Sequence, residues 1–253
     1  PSFSASSMGI RKTLASIVLA GAMTLGLTGK ANAGLIGEWN FNEGSGNVAY
    51  DSSGQERDGT INGASYVDGR NETGLNFNGN SYVDIQSTSA LNLQPEFSLS
   101  AWVKFNEYND DTVIVGKHIS GNVSGFFLGV QNNKFDFYVE NLPFSGEDRL
   151  RSSQTYNDGQ WHHVVGEYDG TTQFLYVDDV LQAQQEHSHL INNSADWKIG
   201  GIFEGQNNGG FIGNIDEVRI YDSVVPEPST LALFGLGALG LAKMKRRAKD
   251  DTR

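Results

Sequence analysis

The sequence has no cysteine, which excludes thiol catalysis, disulfide bonds and cysteine-based zinc sites. Proline is also rare, at 5 of 253 residues. Basic residues are scarce between positions 34 and 225, where 9 Lys and Arg stand against 27 Asp and Glu and leave a net charge of −18. Nucleic-acid binding is not expected, because phosphate contacts need a basic face. Glycine is abundant at 31 residues, which favours an all-β chain with many tight turns.

Short apolar runs separated by Gly, Asn, Asp and Ser recur from Gly34 to Val225, and no helical period of useful length accompanies them. About a dozen such runs predict a large sandwich of two antiparallel sheets. In the run 97–105, alternation predicts that one face belongs to the core, the face that carries Phe97, Leu99, Ala101, Val103 and Phe105.

Residues 1–33 have the features of a short upstream extension followed by a secretory signal peptide. Residues 11–12 supply the positive charge, residues 14–27 supply an apolar helix, and a small-residue cleavage motif ends at Ala33. An amphipathic core helix fits less well, because residues 14–27 are apolar on every side. We therefore expect signal peptidase to cleave after Ala33, so that the exported chain begins at Gly34.

Residues 224–253 carry a Pro-Glu-Pro step, an uncharged apolar run and a basic end, in that order. Pro226 and Pro228 lack amide hydrogens and keep the step around Glu227 extended. The apolar run at 229–242 is short for a membrane core, so it predicts a hydrophobic helix that anchors the chain only marginally. The positive-inside bias keeps the basic end cytoplasmic and places the preceding body outside that membrane.

This arrangement resembles the PEP-CTERM sorting signal of Gram-negative bacteria, in which an exosortase cleaves near the Pro-Glu-Pro motif. The resemblance implies transient anchoring in the inner membrane, cleavage by exosortase near residues 226–228, and a final place at the outer surface or outside the cell. An ordinary tail anchor is the alternative.

Motifs in the body occur in an order that resembles the LamG-like, concanavalin A-type jelly roll. They include Asp-Ser-Ser-Gly at 51–54, Ser-Leu-Ser-Ala-Trp-Val at 98–103, Asp-Gly-Gln-Trp-His-His-Val at 158–164 and the run at 211–221. The resemblance covers essentially all of residues 34–223 and implies the fold. Proteins of this family include lectins, glycan-binding modules, glycosidases and adhesion domains, so the resemblance leaves the function open.

The sequence departs from the family pattern at Asp179, where the hairpin usually carries Gly. Asp tolerates the left-handed conformation less well than Gly does, so we expect a different turn type between Val177 and Val180.

Two acidic residues are candidate ligands for a structural Ca²⁺ ion. A period of two puts Asp216 on the same face as Val218 and Ile220, and a carboxylate on an apolar face needs a partner. Few basic residues are available in the body, carboxylates are ligands that Ca²⁺ prefers, and the resemblance also implies Ca²⁺ at this strand. Asp51, the first residue of the Asp-Ser-Ser-Gly turn, is the second candidate. The alternatives are that Asp216 caps loop amides without metal and that Asp51 forms an Asx turn.

Loop aromatics beside Asn, Asp and Gly are candidate platforms for sugar stacking, and they are Tyr108, Phe144, Tyr156 and Phe203. Catalysis is not expected, because the Glu-x-Asp-x-x-Glu spacing that the resemblance associates with laminarinase-like relatives is absent. We expect a non-enzymatic exported protein that binds an extracellular polysaccharide or another matrix component. The alternatives are a structural matrix protein without a soluble ligand and, more distantly, a glycoside hydrolase.

Overall fold

The structure is a computed structural model that describes residues 34–88, 91, 93, 96–119, 124–139, 149–186, 195–201 and 210–225. These residues belong to Asn32–Arg253, one of the two units into which the chain divides. The predicted signal peptide and its helix, and the predicted hydrophobic helix after the Pro-Glu-Pro step, lie outside the described residues. No helix within the described ranges is long and apolar enough to cross a membrane.

The regular structure of the described residues consists of β-strands, as the short apolar runs predict. In chain order these strands are β1 (Leu35–Trp39), β2 (Val48–Ala49), β3 (Gly59–Asn62), β4 (Ser65–Asp68), β5 (Thr73–Asn78), β6 (Tyr82–Ile85), β7 (Phe97–Lys104), β8 (Thr112–Ile119), β9 (Ser124–Gln131), β10 (Lys134–Val139), β11 (Arg149–Arg151), β12 (His162–Tyr168), β13 (Thr172–Val177), β14 (Val180–Glu186), β15 (Trp197–Ile199) and β16 (Ile212–Tyr221). The strands that the apolar runs did not predict, β2, β3, β4 and β11, contain only two to four residues each.

The strands pair into two eight-stranded antiparallel sheets, which confirms the predicted jelly-roll sandwich. The first sheet has the order β14-β13-β12-β7-β16-β5-β4, and β1 also pairs with β16. The second sheet has the order β11-β10-β9-β8-β15-β6-β3-β2. Strands that are distant in sequence therefore lie side by side at the centre of each sheet.

The core lies between the two sheets and is built by the predicted alternation. In β7, Phe97, Leu99, Ala101 and Val103 are fully buried, and Phe105 just beyond the strand is also buried. The opposite face of β7 carries Ser98, Ser100, Trp102 and Lys104 and forms part of the outer face of the first sheet. Aromatic rings from both sheets fill the space between them and bury the apolar area that stabilises the fold.

A β-bulge in β16 corrects the predicted orientation of Asp216. The register of β16 against β7 shifts between Asp216 and Arg219, and Glu217 has a positive φ of 51°. The extra residue places Asp216 opposite Trp102, on the outer face, whereas Val218 remains in the core. The prediction that Asp216 shares a face with Val218 and Ile220 is therefore wrong, because strict alternation does not survive a bulge.

The hairpin between β13 and β14 also differs from expectation. Asp178 and Asp179 both have positive φ values, 51° and 63°, which is the pattern of a type I′ turn. The Asp178 carboxylate stabilises this conformation, because it accepts a hydrogen bond from the His163 amide at 3.0 Å and lies 2.8 Å from Nδ1 of His162. The turn is therefore the usual hairpin type, formed by two aspartates instead of a glycine.

Candidate functional site

Three connections meet at one end of the sandwich, and we call this region the Tyr108 end. They are the loop 105–111 between β7 and β8, the turn 132–133 between β9 and β10, and the loop 152–161 between β11 and β12. Backbone hydrogen bonds tie them together, since the Asn133 amide donates to the Asn109 carbonyl at 2.9 Å and the Tyr156 amide donates to the Asn133 carbonyl at 2.9 Å. The Tyr108 end is therefore a connected surface.

Buried Asn109 holds the first loop in place. Its Oδ1 accepts the Ile212 amide at 2.8 Å, and its Nδ2 donates to the Ile212 carbonyl at 2.9 Å. Its own amide donates to Oδ1 of Asn133 at 2.8 Å. One asparagine thus fixes the loop to the start of β16 and to the β9–β10 turn, which gives a rigid support for the residues beside it.

Tyr108 is the exposed aromatic side chain of this end, with 60% of its surface open to solvent. Its hydroxyl donates to Oδ1 of Asn132 at 2.9 Å, and the Asn132 amide donates to Oδ1 of Asp110 at 3.1 Å. Desolvation and the negative charge of Asp110 raise the pKa of the Tyr108 phenol above its ordinary value, so the hydroxyl stays protonated at neutral pH. Among the described residues, nothing accepts a hydrogen bond from the side-chain nitrogen of Asn132.

The remaining predicted platforms have different outcomes. Tyr156 is only 5% exposed and packs on Phe135 with ring centres 5.0 Å apart, so it belongs to the core and the prediction of a platform there is wrong. Phe144 and Phe203 lie outside the described residues. Of the predicted aromatics in the described ranges, Tyr108 is thus the one that faces solvent.

A histidine between two carboxylates borders the Tyr108 end. Nδ1 of His162 lies 2.8 Å from Oδ2 of Asp178, and its Nε2 lies 3.2 Å from Oδ1 of Asp158. The Gln160 amide, and then His162, lower the pKa of Asp158 below its ordinary value. This cluster links the β11–β12 loop to the β13–β14 turn and adds to the acidic character of the end.

A partly buried arginine connects the first loop to the outer face of the second sheet. Nη1 of Arg149 lies 2.6 Å from Oδ1 of Asp111, and its Nε lies 2.7 Å from Oδ2 of Asp136. Asp136 is fully buried, while Asp111 is partly open to solvent. The sequence analysis did not find this group, because alternation in β10 could place Asp136 on the outer face but could not show that the position is buried.

Aromatic rings surround the same arginine. Its guanidinium lies over the rings of Phe127 and Tyr138, at 5.0 and 5.9 Å from their centres. Burial raises the pKa of Asp136 to about 6, although the charge of Arg149 opposes that rise. The arrangement compensates buried charge and fixes the end of the Tyr108 loop.

Asp216 is held by three backbone amides on the outer face of the first sheet. Oδ2 accepts the amides of Arg70 at 2.8 Å and Asn71 at 3.0 Å, and Oδ1 accepts the amide of Glu217 at 2.7 Å. The loop before β5 approaches closely, because a Cβ on Gly69 would lie 2.6 Å from Oδ2. Burial raises the pKa of Asp216, and the three amide hydrogen bonds oppose the rise. The loop and its Arg70 side chain, 4.4 Å from the Trp102 ring, cover the carboxylate.

Asp51 forms an Asx turn, the predicted alternative to a role as a calcium ligand. Its Oδ1 accepts the Ser53 amide at 2.9 Å and the Glu38 amide at 3.0 Å, and its Oδ2 accepts the Arg57 amide at 3.0 Å. Both predicted calcium ligands therefore direct their oxygens at amide hydrogens, which suits the capping of loop amides better than the coordination of a cation. No group of three or more His, Asp or Glu side chains that could hold a metal occurs within the described ranges.

We expect Asp216→Ala to lower the free energy of unfolding by about 3 kcal/mol, because three amides lose their acceptor in a buried place. Asp51→Ala is the matched comparison, because Asp51 also accepts three amides but is partly solvated. Its cost should be about 1 kcal/mol, since water can replace the lost acceptor. Urea unfolding of the two variants and the parent protein measures both values, and equal costs would contradict the assignment of a buried amide cradle to Asp216.

Calcium binding at Asp216 and Asp51 stays a prediction that thermal unfolding can test. A stabilising site raises the melting temperature in saturating Ca²⁺ by about 5 to 10 °C over that in chelator, and Asp216→Asn removes most of the difference. Equal melting temperatures in the two conditions, measured on protein verified as metal-free at the start, would rule out a stabilising calcium site. Amide capping would then be the role of both residues.

Comparison with known families agrees with this fold. Residues 77–229 match the family model of the concanavalin A-like lectin/glucanases superfamily, which is more than half of the chain, and the protein belongs to this superfamily. Residues 224–247 match the PEP-CTERM protein-sorting motif, which confirms the predicted sorting signal. That motif indicates export and sorting at a membrane in Gram-negative bacteria. No curated protein matches this chain.

Solved structures with the same fold include domain 4 of a GH43 extracellular arabinanase from Geobacillus stearothermophilus, in complex with arabinotriose. It is 20% identical, the match covers 76% of this chain and 94% of that domain, and the TM-score is 0.61. The binding domain of Paraclostridial Mosquitocidal Protein 1 is 18% identical over 79% of this chain and 52% of its own, with a TM-score of 0.62. Trypanosoma rangeli sialidase in complex with sialic acid is 17% identical over 77% of this chain and 32% of its own, with a TM-score of 0.58. At these identities the similarity shows the fold.

Proposed function

We propose that this protein is an exported, non-enzymatic β-sandwich that binds an extracellular polysaccharide or another matrix glycan at the Tyr108 end. The exposed ring of Tyr108 on a rigid polar loop is the observation that carries the proposal. An aromatic ring offers an apolar face for the C–H surface of a sugar, while neighbouring amide and carboxylate groups bind its hydroxyls. The Asn132 side-chain nitrogen and the Asp110 carboxylate are the neighbouring groups.

The charge of the protein supports a neutral ligand over an acidic one. The body carries a net charge of −18, and Asp110, Asp158 and Asp178 lie at or beside the proposed site. Such a field repels nucleic acids and strongly acidic polysaccharides. Among the structures with the same fold, the arabinanase domain was solved with arabinotriose, a neutral oligosaccharide, and the match spans nearly all of that domain.

The environment of the carboxylates supports binding without catalysis. Glycoside hydrolysis needs two carboxyl groups on either side of the scissile bond, one of them with a raised pKa. Asp136 and Asp216 both have a raised pKa, but both are fully buried, Asp136 against Arg149 and Asp216 against three backbone amides. These positions favour charge compensation and amide capping over proton transfer to a substrate.

Titration of the exported protein with arabinotriose and a panel of neutral and acidic polysaccharides tests the proposal. We expect at least one neutral glycan to bind with a dissociation constant of about 1 mM or lower per site, which corresponds to about −4 kcal/mol or better. We also expect to recover the oligosaccharide intact after incubation. Absence of binding across the panel at millimolar concentration would favour a structural matrix protein, and cleavage of the oligosaccharide would favour a hydrolase.

A further inference from the structure

Gly34 and Asp222 form a reciprocal pair at the edge where β1 meets β16. The Gly34 nitrogen donates to Oδ1 of Asp222 at 2.9 Å, and the Asp222 amide donates to the Gly34 carbonyl at 3.0 Å. The pair continues the β1–β16 ladder, in which Leu35 is opposite Tyr221. The carboxylate of Asp222 is therefore directed at the backbone nitrogen of the residue that the sequence predicts as the first of the exported chain.

We propose that Asp222 is the binding site for the α-ammonium group that signal peptidase creates at Gly34. Hydrolysis of the Ala33–Gly34 bond adds water, so the hydroxyl group goes to the Ala33 carbonyl carbon and a hydrogen goes to the Gly34 nitrogen. The free amine takes up a further proton at neutral pH. An amide–carboxylate hydrogen bond thereby becomes an ion pair, which forms only after the signal peptide has been removed. The proposal rests on the predicted cleavage after Ala33.

The absence of a side chain at residue 34 lets the Asp222 carboxylate approach the backbone nitrogen closely. A Cβ on residue 34 would lie 2.6 to 2.8 Å from the carboxyl atoms of Asp222, so the exposed Asp222 side chain would have to move aside. The small residues of the cleavage motif are on the other side of the Ala33–Gly34 bond, at positions 31 and 33. Glycine at residue 34 lets the pair form without that movement of Asp222.

The charges on the neighbouring strands leave Asp222 as the partner of the new ammonium group. On β1 and β16, Nε of Arg219 pairs with Oε1 of Glu38 at 2.7 Å, and its Nη2 also pairs with Glu217, so Glu38 and Glu217 share the one cation of these strands. Tyr221, opposite Leu35, has a pKa raised by burial and stays neutral near pH 7. Asp222 is itself exposed, which makes its ion pair modest in strength but reachable by an arriving N-terminus.

The ion pair would lie next to the start of the sorting motif. After Asp222, Oγ of Ser98 donates a hydrogen bond to the Ser223 carbonyl at 2.8 Å and accepts one from the Val225 amide at 3.2 Å. The match to the sorting motif begins at residue 224. The new ion pair would therefore lie directly before the segment that leads to the processing motif.

Labelling of the α-amine tests this proposal on the protein exported through its own signal peptide. Intact mass first establishes Gly34 as the N-terminus, and an amine-acylating reagent at pH 7 then measures its reactivity against that of the lysines. An ion pair raises the pKa of the α-amine, so we expect it to react about 3 to 10 times more slowly in the parent protein than in Asp222→Asn. Gly34→Ala keeps the α-amine but disturbs the pair. Its α-amine should therefore be labelled faster than that of the parent protein, at a rate up to that of Asp222→Asn.

The control inserts one alanine between Ala33 and Gly34, which moves the α-amine one residue away from Asp222. In that background, Asp222→Asn should change the labelling rate less than twofold. The parent protein should also melt about 1 to 4 °C higher than the insertion variant. Equal labelling rates in the parent protein and Asp222→Asn, or an exported N-terminus at another residue, would overturn the proposal.

Discussion

Arg149→Met should lower the free energy of unfolding by about 3 to 5 kcal/mol, because it leaves the buried Asp136 carboxylate without its partner. Arg151→Met is the matched control, since Arg151 is on the same strand and opposite Asp136, and its charge also acts on that carboxylate but from an exposed position. That control should cost about 0.5 kcal/mol. The double variant Asp136→Asn/Arg149→Met should recover about 2 kcal/mol or more of the loss, because no unpaired charge remains buried. Urea unfolding at pH 8 measures all four proteins.

The pH dependence of this effect follows from the pKa of Asp136. In the folded protein that pKa is raised to about 6, above its value of 3.8 in the unfolded chain, so the fold prefers the protonated form. The stability from this preference is fully present below about pH 4 and is lost as the pH rises through about 6. Arg149→Met raises the pKa further, so its cost should decrease between pH 8 and pH 5. A cost that is independent of pH would contradict the buried ion pair.

Phe97→Ala should be equally destabilising, at about 3 to 5 kcal/mol, because Phe97 joins the two sheets. It is fully buried on β7, and its ring centre lies 4.9 Å from that of Phe126 on β9 and 6.0 Å from that of Phe137 on β10. The ring of Tyr168, on β12 of the first sheet, is 5.9 Å away. Truncation would leave a cavity that the surrounding rings cannot close.

Phe174→Ala is the control for this truncation. Phe174 is partly exposed on β13 and stacks beside Tyr176 on the outer face of the first sheet, with ring centres 6.4 Å apart. Its loss should cost about 1 kcal/mol, because solvent can fill the space that the ring leaves. Chemical unfolding with a constant m-value checks both proteins, and similar costs for Phe97 and Phe174 would contradict a single core between the sheets.

Most of the fold could be predicted because core strands such as β7 follow strict alternation. In β7, every second residue from Phe97 to Val103 is in the core, and a period of two is enough to identify such a strand. Strands β2, β3, β4 and β11 were missed, because runs of two to four residues carry little detectable period. The family resemblance supplied the jelly-roll architecture, whereas the order of the strands within each sheet comes from the structure alone.

The details of the site were harder to predict, because they depend on single residues and tertiary contacts. The bulge at Glu217 reverses the face of Asp216, and no local signal in the sequence reveals it. The burial of Asp136 depends on Arg149, which belongs to a different strand. The exposure of Tyr108 agrees with its place in a polar loop, whereas Tyr156 occupies a similar loop but packs into the core.

The affinity of Tyr108→Ala for the tightest-binding glycan of the panel tests the proposed function most directly. Tyr50→Ala is the matched control, because Tyr50 is 57% exposed and follows β2 at the far edge of the second sheet. We expect Tyr108→Ala to bind at least 10 times more weakly, a loss of about 1.4 kcal/mol or more, with an unchanged melting temperature, and Tyr50→Ala to bind like the parent protein. Unchanged binding by Tyr108→Ala, or an equal loss in both variants, would contradict a glycan site at the Tyr108 end.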